Sequence, residues 1–207
     1  RVVTASDDMS SKIWSVLTGE CLQTLDGHTD RVNAGAFSTD GSQVVTASFD
    51  GCSKIWSSAT GECLQALARH ASRVNSAAFS TDCRRLVTAS DDKCSMIWDT
   101  ETGECLRVLA GHTDWVIGAA FSVDSSRVAT SSYDWSSKIW SVDTGECLQT
   151  LTGHSDRVNS AGFSPDGCRV VTASFDGSSR IWNTETGTCV RTLLGHRGPV
   201  RSAQFSQ

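Results

Sequence analysis

The sequence predicts an all-β protein built from five copies of one four-stranded antiparallel sheet. Three observations carry that expectation. The first is an internal period: Trp14, Trp56, Trp98, Trp140 and Trp182 stand 42 residues apart, and the same step links His28, His70, His112, His154 and His196, the five histidines of the chain. The second is run length, because apolar runs within a period last only about four to seven residues, the size of strands rather than helices. The third is punctuation, since the gaps between runs hold Gly, Asp or Ser, which favour tight turns.

One period shows each element in order. RVNAGAF (31–37) is the first strand, and STDGS turns it into QVVTAS (43–48), whose β-branched residues suit a buried sheet. FDG then joins CSKIWS (52–57), and SATG joins ECLQAL (62–67). Hairpin-sized links make this an antiparallel meander. The prolines, Pro165 and Pro199, fall at loop or strand-start positions, where a missing N–H does little harm. A lone sheet of this size cannot bury both faces, so the units must pack face to face around an axis. No insertion breaks the register, which points to recent amplification of one unit.

Composition narrows the function. The 207 residues are 39 % hydrophobic, enough for a proper core, and Lys plus Arg number 18 against 23 acidic residues, a formal charge of -5. With no basic run, nucleic-acid binding over a wide face is not expected. Apolar stretches fall far short of the roughly 18–20 residues of a membrane span, so neither a membrane segment nor a signal peptide is expected. Nine cysteines is an odd count, and sparse beside the roughly 8–10 % of a short disulfide scaffold. An intracellular, cytoplasmic setting follows as the expectation. The opening Arg1, at the edge of an apolar run, suggests excision from a longer chain.

Gly27-His28, Gly111-His112, Gly153-His154 and Gly195-His196, followed by FSxDG, ASxD and IW with a short polar residue, resemble the Trp-Asp (WD) repeat of β-propellers. The likeness spans the whole chain. Two departures stand out: Asp follows Trp only at Trp98-Asp99, with Ser15, Ser57, Ser141 and Asn183 elsewhere, and Arg69 replaces the Gly before His70. The resemblance implies one propeller domain over 1–207, with repeat units at about 1–42, 43–84, 85–126, 127–168 and 169–207. N- and C-terminal strands would share one blade, Val200–Ser206 pairing with the strands of residues 1–25. An incomplete ring would instead leave the chain free to self-associate or to be completed by a second chain.

His, Asp and a hydroxyl are also the parts of a hydrolase triad, but an active site occurs once and this set recurs in step with the strands. The resemblance implies a structural network in which the loop His meets the turn Asp and a strand hydroxyl, and the hydroxyl meets the Trp indole. The sets are His28, Thr46, Asp50 and Trp56; His70, Thr88, Asp92 and Trp98; His112, Thr130, Asp134 and Trp140; His154, Thr172, Asp176 and Trp182; and, across the closure, His196, Thr4, Asp8 and Trp14. Whether the hydroxyl is the Thr or the Ser two residues on (Ser48 for Thr46) stays open, since both share one strand face. Histidines 42 residues apart lack metal-ligand spacing, so no metal or cofactor is expected. Cys21, Cys63, Cys105, Cys147 and Cys189 recur in the fourth strand, where a free Cys is expected to act as a small buried hydrophobe. Cys52, Cys83, Cys94 and Cys168 lie near turns and should be partly exposed.

Recurrent residues build the scaffold, so function is expected where one copy departs. Around the loops, Arg31, Arg73, Trp115, Arg157 and Pro199 form one column and Asn33, Asn75, Ile117, Asn159 and Arg201 the next. Before the turn Asp stand Asp7, Phe49, Asp91, Tyr133 and Phe175; after it stand Met9, Gly51, Lys93, Trp135 and Gly177. Trp115, Ile117, Tyr133 and Trp135 depart together, in one unit. They suggest an apolar patch flanked by Arg31, Arg73 and Arg157 that grips a protein or peptide with an apolar anchor and acidic groups. Phe49 and Phe175 fit either the partner site or the channel lining. The resemblance implies a non-catalytic interaction scaffold. Its alternatives are a ligand-sensing module of a larger signalling ATPase and a hydrolase sited in the channel, and the periodic Glu20, Glu62, Glu104 and Glu146 look like turn residues rather than catalytic acids.

Overall fold

The computed structural model, which describes residues 1–206, contains nineteen strands and no helix among them. The first sheet has three strands, β1 (Val2–Ala5), β2 (Ser11–Trp14) and β3 (Cys21–Leu25). Four complete meanders follow. They are β4 (Val32–Phe37), β5 (Gln43–Ser48), β6 (Ser53–Ser57) and β7 (Cys63–Leu67); β8 (Val74–Phe79), β9 (Arg85–Ser90), β10 (Cys94–Asp99) and β11 (Cys105–Ala110); β12 (Val116–Phe121), β13 (Arg127–Ser132), β14 (Ser137–Ser141) and β15 (Cys147–Leu151); and β16 (Val158–Phe163), β17 (Arg169–Ser174), β18 (Ser179–Asn183) and β19 (Cys189–Leu193). Every pairing is antiparallel between chain neighbours, as three- to six-residue links require.

Packing between sheets uses both faces of each strand, because successive side chains point to opposite sides. Val44 and Trp56 face Ile13 and Leu25 of the preceding sheet. Their neighbours Val45 and Ile55, with Leu67, face Leu86 and Trp98 of the next. The same arrangement joins Ile97 and Leu109 to Val128 and Trp140, and Ile139 and Leu151 to Val170 and Trp182. β4, β8, β12 and β16 approach one another side by side, so each sheet is a blade with its first strand innermost.

Polar clamps set the angle between blades. A register shift in each first strand leaves Asn33, Asn75, Ile117 and Asn159 as bulge residues, and a bulge re-aims its side chain. Asn33 donates to the Asn75 carbonyl (2.8 Å), Asn75 to that of Val116 (2.9 Å) and Asn159 to that of Val200 (3.0 Å). Outer strands supply a second set: Gln23 donates to the Ala59 carbonyl, Gln65 to Glu101, Arg107 to Asp143 and Gln149 to Glu185.

Closure differs from the sequence expectation. Val200–Ser206 forms no ladder with β1, and the first sheet remains three-stranded. The segment runs beside β16 instead. Val200 N–H donates to the Ser174 carbonyl as Val32 N–H does to Ser6, and Ala203 N–H donates to Ser160 Oγ as Ala119 N–H does to Ser76. It therefore continues the fifth blade's junction in the geometry of the internal ones, and that repeated geometry does not carry it round to β1. The apolar ends stay uncovered: Val2 is 49 % exposed where its counterpart Val44 is 0 %, and Leu193 is 47 % exposed where Leu67 is 1 %.

A second correction concerns the periodic cysteines. Cys21, Cys63, Cys147 and Cys189 are exposed and Cys105 is half-buried, because they open the outermost strand. Cys52, Cys83 and Cys94 are half-buried and Cys168 is exposed. Burial pushes the Cys52 and Cys94 thiols up, away from reactivity.

Candidate functional site

Each complete blade ends in a polar chain that holds the loop on which candidate binding residues sit. His28 Nδ1 lies 2.8 Å from Asp50 Oδ2, His28 Nε2 lies 2.7 Å from Thr46 Oγ1, and the Trp56 indole N–H donates to the same Thr46 oxygen at 2.8 Å. Matching bonds join His70, Asp92, Thr88 and Trp98; His112, Asp134, Thr130 and Trp140; and His154, Asp176, Thr172 and Trp182. The hydroxyl is thus the threonine. Ser48 instead donates to the loop carbonyls of Asp30 and Arg31 and accepts from Asp50 N–H.

Donor counting fixes the protonation. An indole can only donate, so Thr46 Oγ1 accepts from Trp56 and gives its own proton to His28 Nε2, leaving Nδ1–H to donate to Asp50. The imidazole is neutral. Burial lowers the pKa of His28, against the opposing pull of Asp50, and does the same at His154. Burial raises Asp50, but the Thr29 N–H, His28 and the Cys52 N–H together outweigh it and the net shift is downward. Each loop is thereby locked to its hairpin turn through buried, fully partnered groups.

The fifth set is incomplete. Trp14 donates to Thr4 at 2.8 Å, but His196, expected to complete it with Asp8, is exposed at the other end of the arc and makes no side-chain hydrogen bond among the described residues. The open ring removes the neighbour that would have brought them together.

On the rim these loops form, the chain lays out alternating arginines and aromatic rings. Phe49, Tyr133 and Phe175 are fixed by N–H bonds to the carbonyls of Arg31, Trp115 and Arg157, so the two columns of one unit sit side by side. Arg73 stacks 4.7 Å from the Phe49 ring centre, and Arg157 lies 4.6 Å from the rings of both Tyr133 and Phe175. Trp115 and Tyr133 pack with centroids 5.6 Å apart. Arg31 faces Asp7 at 3.9 Å, an exposed pair of little energetic weight. A cleft of about 280 Å³ opens here, lined by Phe49, Arg73, Asp91, Trp115, Ile117 and Tyr133.

Five of the nine candidate binding residues, Phe49, Arg73, Trp115, Ile117 and Tyr133, line this cleft, Arg31, Arg157 and Phe175 adjoin them, and Trp135 is not part of its lining. Trp135 sits in the β13–β14 turn, 53 % exposed and outside the cleft, in a left-handed conformation (φ 69°) that Gly51 and Gly177 fill in sister blades. Asp91 is a cleft residue that column reading left among the unremarkable copies. Its Oδ1 accepts from Asn75 Nδ2 at 2.8 Å, which holds a carboxylate at the cleft wall. The outer Gln clamps were visible as the period Gln23, Gln65 and Gln149, though nothing in that spacing says what they touch. No group of three His, Cys, Asp or Glu side chains is gathered for a metal ion among the described residues.

A repeated meander with a third-strand tryptophan, tied through threonine to a loop histidine and a turn aspartate, is matched by the family model for the WD domain, G-beta repeat, over residues 19–57, 61–99, 103–141 and 145–183. The chain belongs to the WD-repeat family. WD repeats generally serve as protein-interaction scaffolds, and WD-repeat proteins are typically non-catalytic. The matched spans begin in the turn before a fourth strand and end after the next blade's third, so each covers the packing contact between two blades.

Proposed function

We propose that this WD-repeat chain is a peptide-binding scaffold whose ligand lies in extended form across the rim of the 112–151 blade. The observation that carries the reading is the cleft beside the Trp115–Tyr133 pair, where three apolar or aromatic positions replace the Arg, Asn and Phe or Asp of sister copies. Aromatic anchors that lose little rotamer entropy favour interface burial, and Trp115 is 43 % exposed. Arg157 adds direction: its guanidinium lies 4.6 Å from the ring centres of both Tyr133 and Phe175, which sets a cation beside the apolar patch where it can meet an acidic group. The ligand is a segment with an apolar anchor and a neighbouring acidic group.

A paired capture tests this, with the intact chain and a Trp115→Arg, Ile117→Asn variant that restores the residues of sister blades, after both are shown to melt alike. A partner retained by the intact chain and lost from the variant supports the rim site. Equal capture by both would move binding to another face.

A further inference from the structure

We propose that Ser72, in the loop between β7 and β8, is a phosphoacceptor for an Arg-directed serine kinase, and that phosphate there weakens the rim site. The effect on the rim rests on the rim reading; the modification does not.

The position lacks a group that its sisters have. Asp30, Asp114 and Asp156 stand at the equivalent place, and each accepts the N–H of the residue after it at 2.7–2.8 Å. Ser72 puts a hydroxyl there in place of the carboxylate. Phosphate on that hydroxyl returns an anionic acceptor to the loop. The cations differ as well: Arg69 replaces Gly27, Gly111, Gly153 and Gly195 of the other loops, and residues 68–73 hold two arginines and no acid. Ser72 therefore has an arginine three residues before it and another directly after.

An arginine three residues before the hydroxyl is the charge pattern that the acidic groove of such a kinase selects. Six other serines or threonines follow an arginine at that spacing, and the fold withdraws them all. Thr88, Thr130 and Thr172 are fully buried. Thr4, Ser76 and Ser160 lie within strands, where their hydroxyls accept the Trp14 indole and the N–H groups of Ala119 and Ala203. Ser72 lies outside the ladders and is half-exposed, on the wall of an open cleft of about 330 Å³ shared with Phe49, Gly51, Ala71 and Arg73. A kinase needs its acceptor off the sheet, and this one meets that need.

In the transfer, the bond from Ser72 Oγ to the γ-phosphorus of ATP forms as the bond from that phosphorus to the β-phosphate oxygen breaks. ADP leaves, and the hydroxyl proton passes to the kinase's catalytic carboxylate. The product sets about 1.5 to 2 negative charges beside Arg73 at pH 7. Arg73, stacked 4.7 Å from the Phe49 ring centre, lines both this cleft and the rim cleft. Phosphate at Ser72 thus ties up a rim cation and repels an acidic ligand.

The full chain is incubated with the catalytic subunit of cAMP-dependent protein kinase and Mg-ATP, and uptake is read by intact mass and peptide mapping, with a synthetic peptide of residues 66–75 alongside. One phosphate at Ser72 is expected, absent from Ser72→Ala and slowed at least about tenfold by Arg69→Gly, the sister residue. The phosphorylated chain should melt above the unmodified one, as should Ser72→Asp. Failure of the folded chain to take phosphate overturns the proposal, and a peptide that accepts it would assign the failure to the fold. Uptake at other positions, uptake indifferent to Arg69→Gly or a lowered melting point overturns it too. In the paired capture, the phosphorylated chain should lose the partner that the Trp115→Arg, Ile117→Asn variant loses. Retention by the phosphorylated chain alone would overturn the regulation; retention by both would strike the rim reading, while uptake and melting still judge the modification.

Discussion

At the residue scale the repeated histidine is the most informative group. Its neutral form is the only one that lets indole, hydroxyl, imidazole and carboxylate each donate or accept in one direction, and burial lowers its pKa at His28 and His154. Unfolded histidine takes up a proton near 6.5 and the folded one only at lower pH, so between those values the unfolded state holds more protons and stability rises with pH. Aspartates whose folded pKa lies below 3.8, Asp50, Asp92, Asp134 and Asp176 among them, act in the same direction in a lower window. Thermal stability is therefore expected to be level above about pH 7. It should fall as the pH drops below 6.5, and fall again below about 4. Melting curves from pH 3 to 9 check this, and a melting point that rises on acidification from 7 to 5 would refute the neutral assignment. The sequence left Thr46 and Ser48 equivalent because both point to one strand face. The structure separates them by depth, since Thr46 meets the indole two residues further from the turn, while Ser48 caps the loop.

At the element scale, bulges and turns decide what a side chain can reach. The bulge residue is aimed at the next blade, and asparagine there ties two blades together; Ile117 gives up that bond and presents an apolar surface to the cleft. The exchange of a clamp for a contact surface is readable as a column departure, but its meaning depends on the register shift, which no propensity signals. Trp135 shows the converse. It departs as plainly as Trp115, yet it lines no part of the cleft, and its turn holds it at φ 69°, where a non-glycine residue costs roughly 1–2 kcal/mol. Trp135→Gly is expected to stabilise the protein by about 1 kcal/mol in urea titrations and to leave rim binding unchanged. A loss of stability, or of the captured partner, would show that the exposed indole makes contacts of its own.

At the scale of the molecule, the arc is a linear series of blades in which each contacts only its neighbours, so stability is a sum over blades and junctions. Interior blades have two junctions and the end blades one. Backbone amides of β9 and β13 are expected to exchange more slowly than those of β2 and β18 by a factor of at least about ten, since a lost junction of roughly 1.5 kcal/mol or more lowers the local opening energy by that much. Hydrogen exchange by mass spectrometry reads this directly. Uniform protection from first blade to last would mean that the ring closes in solution. The fourth-strand cysteines belong to this scale as well: each opens the outermost strand at its exposed end, while Leu25, Leu67, Leu109 and Leu151 at the other end are buried between blades, so burial inferred from residue type fails at the cysteine.

Period, strand length and turn chemistry were legible in the linear text because they are local. A 42-residue step, short apolar runs and Gly- or Asp-bearing gaps leave few ways to pair a chain other than repeated antiparallel meanders, and face-to-face packing follows from sheets that are apolar on both sides. The resemblance to the WD repeat, carried by its recurrent motifs, placed His28, Asp50 and Trp56 in one blade. Closure and the gathering of Phe49, Arg73 and Tyr133 around one cleft depend on the angle between blades. That angle is the sum of many small clamp and packing contacts between residues about 36 to 42 positions apart, and no single run of sequence encodes it.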